Sequence, residues 1–264
     1  VEHIQKMKEA TEKPWGINVP LLYPEIDRLM DIIIQEGVKI VFTSAGSPKK
    51  WTPLLKSHGI TVVHVISSAL FAKKCEEAGV DAVVAEGFEA GGHNGREETT
   101  TLTLIPNVVE SCSLPVIAAG GISSGKSVVA AMTLGAEGVQ IGTRFAVATE
   151  SSAHPTFKQR VFDTEEGGTM LALKKLAPTR LIKNEFFNQV KALEDAGAET
   201  AQLTELLGKG RAKKGIFEGD MTEGELEIGQ IASMLHQEET VSEIMEDIIA
   251  DFNKTMSKLS DLKL

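Results

Sequence analysis

Residues Pro115 to Arg144, PVIAAGGISSGKSVVAAMTLGAEGVQIGTR, decide the fold of this chain. The pattern is typical of a strand, a glycine-rich turn, a helix, a second strand and a second glycine turn. Parallel strands place both turns at one edge of a sheet, and the first turn leads into a helix N-terminus. Unpaired backbone N–H groups and the helix dipole favour an anion at such a place. The stretch therefore predicts a phosphate-binding βα unit.

The same alternation runs through the preceding residues. Apolar segments alternate with amphipathic helical segments that end in glycine, which is typical of a parallel sheet covered by helices. The predicted strands are residues 15–20, 38–46, 61–67, 81–87, 115–120 and 138–142. We predict an α/β fold of the TIM (β/α)8 barrel type, with six strands visible in this chain.

The alternation stops after about Ser151. Residues 1–150 are predicted to form the β/α barrel portion, and residues 151–264 a mostly helical cap and C-terminal helices that complete the same domain. A helical stretch is expected over Glu185–Gly208. Thr240 and Glu243 have the spacing of a capping box. The helix that follows is expected to place Ile244, Ile248, Ile249 and Phe252 on one face and to fray beyond Asn253.

Composition narrows the class of protein. The chain has 264 residues, of which 42% are apolar and 24% charged, as in ordinary globular proteins. A net charge of -10 argues against general nucleic-acid binding. Two cysteines, Cys75 and Cys112, lack metal-ligand spacing, which predicts a cytoplasmic protein without a structural metal. No apolar run is long enough for a membrane span, and the first residues lack a signal-peptide pattern.

Residues Gly120 to Ser127 also satisfy the P-loop pattern of nucleoside triphosphatases, with Lys126 as its lysine. No later strand ends in an acidic residue that could assist a magnesium ion. The second turn, Ile141 to Arg144, fits better as the other half of a barrel phosphate site. A third interpretation is that these glycines only form tight turns.

Several polar residues follow predicted strands. His93 stands in the glycine-rich segment AEGFEAGGHNG, where an imidazole could exchange protons near neutral pH. A solvated loop histidine is the alternative. Asn18 could contact a cofactor ring or cap a turn, and Glu86 with Glu89 could form a carboxylate pair or a solvated loop.

One basic cluster stands out on this acidic chain. It could meet a phosphate-bearing cosubstrate or an acidic carrier protein, or be a solvated charge run. Its members are Lys209, Arg211, Lys213 and Lys214.

With these residues in view, the sequence resembles the nitronate monooxygenases (2-nitropropane dioxygenases) and the FMN-dependent enoyl-acyl-carrier-protein reductases of type II. The matching segments are WGINVP, TSAG, AEGFEAGGHNG, PVIAAGGISSG and GVQIGTRF, with looser matches at RLIKNEFF and ELEIGQIA. Together they span roughly residues 14 to 235. The form of the histidine segment is closer to the reductase branch. The family's first two βα units have no counterpart here, which agrees with six strands instead of eight.

The resemblance implies a barrel that holds FMN without a covalent bond, with residues 1–150 as the FMN-binding portion. His93 would be the active-site histidine. The FMN phosphate would lie against Gly120, Gly121, Gly142 and Thr143, and the flavin and ribityl chain against Asn18, Glu86, Gly92 and Gln140. Lys126 would have no catalytic role.

The resemblance further implies an enoyl-acyl-carrier-protein reductase of fatty-acid synthesis that uses NADPH or NADH on a small-molecule or carrier-bound substrate. The alternative is a nitronate monooxygenase that oxidises nitroalkanes with oxygen. More distant alternatives are a P-loop NTPase and a non-catalytic flavin-binding remnant. A monovalent cation near Glu86 and a homodimer formed through exposed sheet edges stay open, and no nucleic-acid or membrane partner is expected.

Overall fold

A computed structural model describes residues 1–260, in which six parallel strands form one sheet. The strand order is β1-β2-β3-β4-β6-β7, with each strand next to its neighbour along the barrel. The predicted barrel-type α/β fold is confirmed. The strands are β1 (Ile17–Pro20), β2 (Ile40–Ser44), β3 (Thr61–Ile66), β4 (Ala82–Glu86), β6 (Val116–Ala119) and β7 (Gly138–Gln140), and β5 (Gly92–His93) belongs to a second sheet.

Helices cover the outer side of the sheet and form much of the remaining chain. They are α1 (Glu2–Ala10), α2 (Ile26–Gln35), α3 (Thr52–Ser57), α4 (Ala69–Ala78), α5 (Thr101–Val109), α6 (Gly125–Thr133), α7 (Thr143–Ala146), α8 (Pro155–Phe162), α9 (Glu185–Asp195), α10 (Thr200–Leu207), α11 (Arg211–Ile216) and α12 (Val241–Ser260), with a 3-10 helix at Gln230–Met234. Within residues 1–260, no helix combines the length and apolar character that crossing a membrane requires.

Both faces of the sheet are apolar, which explains the nearly continuous apolar strands. Val41, Val62 and Val83 belong to the large core shared with the helices. Val63 and Val84 belong to a smaller cluster on the opposite face. Because strand side chains alternate between faces, the inner face of β4 continues from Val84 to Glu86 at the carboxyl end.

The cap is mostly helical, as expected, but the cap also contributes to a small second sheet that the sequence did not predict. β8 (Thr169–Ala172) and β9 (Thr179–Ile182) pair antiparallel, and β5 pairs with β9. Strands of two to four residues are too short to show a period in the sequence. His93 therefore lies in a short strand and not in a free loop. The stretch Glu185–Gly208 is two helices, α9 and α10, separated by a turn at Gly197.

The last helix differs from its prediction in two respects. The capping box is confirmed, since the Thr240 N–H donates to Glu243 and the Glu243 N–H donates to the Thr240 hydroxyl. Helix α12 does not fray beyond Asn253 but continues to Ser260. Ile249 is 53% exposed, because the packed stripe follows Ile244 and Ile248 at helical spacing.

Candidate active site

Two adjoining cavities lie at the carboxyl ends of the parallel strands. The larger, here called the main chamber, has a volume of about 1180 Å³. The smaller, here called the annex, has about 210 Å³. The residues that line both are Glu86, Gly91, Gly92, Gln140, Gly142 and Glu227. Barrels carry their sites at this end of the sheet.

The annex is built from the two glycine turns of the opening stretch. Gly120, Gly121, Gly142 and Thr143 all line it, as the resemblance implied for a phosphate site. Among the hydrogen bonds of residues 1–260, none is donated by the backbone N–H groups of Gly121, Gly142 or Thr143. These donors therefore remain available for an anion.

The glycines of the annex serve different purposes. Gly120 has a φ of 91°, and a Cβ there would lie 2.8 Å from the Gly87 carbonyl oxygen, so its glycine is needed for packing. At Gly142 a Cβ would meet nothing within 4 Å, because the space beside it is open. The Thr143 hydroxyl accepts a hydrogen bond from the Gly229 N–H at 3.1 Å, which ties the second turn to the cap.

The structure contradicts the P-loop interpretation of Gly120 to Ser127. The backbone N–H of Lys126 donates to the Asp251 carboxylate at 2.8 Å, and the Lys126 ammonium lies 3.4 Å from the same group. A Cβ on Gly125 would lie 1.9 Å from the Phe252 backbone nitrogen. Helix α12 thus covers the N-terminus of α6, and Lys126 lines neither cavity. The N-terminus of α6 is therefore not free for the anion that the sequence predicted there.

The main chamber brings together the other residues expected from the sequence. Asn18, Gln140 and His93 all line it, with Asn18 at β1, Gln140 at the end of β7 and His93 opposite them on β5. The His93 side chain is exposed to the chamber. Within residues 1–260, no group of three or more side chains has the arrangement of a metal site.

Arg180 stabilises the segment that carries His93, and it was assigned no role from the sequence. It is only 1% exposed and pairs with Gly92 across the second sheet. Its guanidinium donates to the Phe88 and Ala90 carbonyl oxygens and lies 4.4 Å from the centre of the Phe88 ring. These bonds fix the segment that carries His93. The sequence signal that could have identified Arg180 is a single arginine within an apolar strand.

Glu86 and Glu89 do not form a pair. Glu89 accepts hydrogen bonds from the Thr101 N–H and hydroxyl at the start of α5. Glu86 has no such bond among the described residues, and burial raises its pKa to about 7. Glu89 therefore has a structural role, whereas the Glu86 carboxyl faces both cavities.

A further carboxyl at the cavities, Glu227, was not among the residues predicted from the sequence. Leu226 and Ile228 are buried in the cap, so the alternation places Glu227 on the side of the cavities. A Cβ on Gly92 would lie 2.7 Å from Glu227 Oε2, so glycine leaves room for this carboxyl. Burial raises the pKa of Glu227, and the neighbouring His93 acts against that rise.

The basic cluster is largely neutralised within the chain. Arg211 pairs with Glu223 at 3.1 Å, Lys213 with Glu218 and Lys214 with Asp220, both at 3.0 Å. Arg211 also donates to backbone carbonyls at the end of α10. None of the four lines either cavity. Most of the positive charge of the basic cluster is thus paired with carboxylates within the cap.

Known proteins share this architecture. FabK from Thermotoga maritima superposes with a TM-score of 0.92 at 38% identity, over 98% of this chain and 82% of that one. A probable nitronate monooxygenase from Staphylococcus saprophyticus is 33% identical over 81% of this chain, and an octahydroindene-carboxyl-CoA dehydrogenase from Rhodococcus jostii is 28% identical over 98%.

The match to the dehydrogenase extends over 84% of that protein, whereas the match to the staphylococcal protein covers 66% of its length. The chain thus spans just under two thirds of that relative. The model of the nitronate monooxygenase family matches residues 24–251, which include the annex, most of the main chamber and most of the cap, whereas Asn18 and the rest of β1 lie outside the match. The chain therefore belongs to the nitronate monooxygenase family of flavin-dependent oxidoreductases.

Proposed function

We propose that this chain binds FMN and reduces an enoyl thioester with NADPH or NADH. The observation that carries the proposal is the annex of unpaired N–H groups directly beside a chamber that holds His93. The likeness to FabK, at 38% identity, supports the reductase branch.

The residues present fit FMN. The annex offers backbone N–H donors at Gly121, Gly142 and Thr143 that are unpaired within residues 1–260, and such donors suit a small dianion. Glu86 and Glu227 stand between the cavities as carboxyls without a hydrogen-bond donor among the described residues, so they could accept from the hydroxyls of a ribityl chain. The Asn18 and Gln140 amides supply donors and acceptors for a heterocyclic ring.

When bound, FMN would supply hydride transfer between a nicotinamide and the β-carbon of the substrate. The residues of the chain would orient the reactants and transfer the proton. His93 faces the chamber and would hydrogen-bond the thioester carbonyl or give a proton to the α-carbon. Glu227 lies beside it, and burial raises the pKa of this carboxyl.

Nitronate oxidation is the second candidate, favoured by the family model and by the staphylococcal relative. In that reaction His93 would take or stabilise the acidic α-proton of a nitroalkane. The same chamber serves both reactions, so the productive electron partner separates them.

The test begins with FMN reconstitution, followed by anaerobic mixing with NADPH or with propyl-2-nitronate. Rapid bleaching by NADPH and then reoxidation by crotonyl-CoA is the expected result. Bleaching by the nitronate alone would select the second candidate, and failure to bind FMN would refute both. His93→Ala should lose turnover with FMN binding retained, whereas His58→Ala, an exposed histidine outside both cavities, should match wild type.

A further inference from the structure

The outer wall of the main chamber carries lysines and aromatic side chains. Tyr23 and Lys49 come from the loops that follow β1 and β2, and the pair Phe71 and Lys74 comes from helix α4, which follows β3. We call these four residues the lysine rim. All four are exposed, and Tyr23 is the chain's single tyrosine.

The charges of the rim are weakly compensated. Lys74 has no ion pair among the described residues, and its ammonium lies 5.3 Å from the centre of the Phe71 ring. Lys49 lies 3.8 Å from Glu77, with both side chains largely exposed, so this pair contributes little. The adjacent Lys50 is bound to Asp27 at 2.9 Å. On a chain of net charge -10, two lysines at a cavity mouth are a local attraction for anions.

The rim lies at the opposite end of the site from the annex. The annex is formed at the ends of β6 and β7, and the rim at the ends of β1, β2 and β3. The main chamber exceeds the roughly 300 to 1,000 Å³ typical of a single ligand pocket. A flavin whose phosphate occupies the annex would therefore leave room for a second elongated molecule that reaches the rim.

We propose that the lysine rim binds the phosphorylated adenosine end of the cosubstrate, with Lys49 and Lys74 on phosphate and Phe71 or Tyr23 against adenine. The inference rests on the proposed function, which brings two such molecules to this chamber. NADPH carries a 2′-phosphate on its adenosine, and coenzyme A carries a 3′-phosphate. The basic cluster near Lys213 is excluded from this role, because its charges are paired within the cap.

The test uses FMN-reconstituted protein and three probes: 2′,5′-ADP for the NADPH end, 3′,5′-ADP for the coenzyme A end, and 5′-AMP without the extra phosphate. Binding is measured by calorimetry at two salt concentrations. Because contacts between phosphate and exposed lysines are weak, Lys49→Gln with Lys74→Gln should weaken binding of the preferred diphosphate about five- to tenfold. The matched control, Lys213→Gln with Lys214→Gln, should bind it like wild type.

A preference for 2′,5′-ADP would assign the rim to the nicotinamide cosubstrate, and a preference for 3′,5′-ADP would assign it to the thioester. Equal affinity in the rim variant and wild type would overturn the inference, as would binding of 5′-AMP as tight as that of both diphosphates. FMN affinity is measured in the same samples. A protein that binds FMN but shows no rim effect refutes only the rim, whereas a protein without FMN binding refutes the proposed function.

Discussion

The contact between α6 and α12 leads to a quantitative prediction for Gly125→Ala. A Cβ at this position would lie 1.9 Å from the Phe252 nitrogen and 2.5 Å from the Ile248 carbonyl oxygen. Both atoms belong to the backbone of α12, so no side-chain rotation relieves the clash. Since non-bonded heavy atoms lie about 3.5 Å apart, α12 must move away by roughly 1.5 Å.

The cost follows from what that movement disturbs. Overpacking costs about 1 to 3 kcal/mol, and a backbone clash belongs at the upper end of that range. Complete release of α12 would expose Ile244 and Ile248 at about 2 kcal/mol each, so the apolar part of that loss alone is near 4 kcal/mol. Alanine has a higher helix propensity than glycine, and this difference offsets at most about 1 kcal/mol of the cost. We therefore expect Gly125→Ala to lower the free energy of unfolding by about 2 kcal/mol.

Urea unfolding followed by circular dichroism measures this loss, and hydrogen exchange locates it in α12. The control is Gly138→Ala, where a Cβ would meet only Ile117 Cγ1 at 3.8 Å, and a change within about 0.5 kcal/mol is expected. If Gly125→Ala were as stable as wild type with α12 equally protected, the reasoning about this helix contact would be refuted.

Three further predictions concern charged groups. Lys126→Ala removes an exposed ion pair, so the free energy of unfolding should change by less than about 1 kcal/mol. FMN affinity, measured by fluorescence quenching, should stay within about twofold of wild type. A large loss of FMN affinity would show that this lysine does contact the phosphate. Burial and repulsion from Glu227 raise the pKa of Glu225 to about 7, above its ordinary 4.5. The folded state therefore holds the Glu225 proton more tightly, and this stabilisation is lost as pH rises from about 4.5 to 7. Urea unfolding at pH 5 and pH 8 should show wild type losing about 2 kcal/mol relative to Glu225→Gln; parallel pH profiles would contradict this. Arg144 is 8% exposed and bonds Glu239, Asp247 and the Ser123 carbonyl, so Arg144→Met should lower the unfolding free energy by about 2 kcal/mol and deprotect α12 in hydrogen exchange; unchanged protection would separate this arginine from helix docking.

The parallel sheet was predictable because its signal is local. Each strand is a short apolar run, as in VKIVF, and most of the helices between the strands end near a glycine such as Gly79, whose φ of 79° ends α4. The residues at the carboxyl ends of the strands then follow from topology alone. For this reason the sequence alone places Asn18, Glu86 and Gln140 at one edge of the sheet.

The cap was harder because its order depends on contacts between distant residues. β5 exists only because β9 lies beside it, and Arg180 bonds carbonyls some 90 positions earlier in the chain. Glu227 faces the cavities because Leu226 and Ile228 pack into the cap, which two isolated apolar residues do not reveal. Likewise, the α6 N-terminus looked free in the sequence, and only the approach of α12 shows that Asp251 occupies it.

The position of Arg144 has a thermodynamic consequence. It follows directly on Gly142 and Thr143 of the annex, while its guanidinium is held by Glu239 and by Asp247 of α12. An anion that orders the annex turn would also favour the docked state of α12. Because such coupling is reciprocal, any change that frees the helix must weaken anion binding by the same factor. Retention of the phosphate and attachment of the C-terminal helix would then be two measurements of one equilibrium.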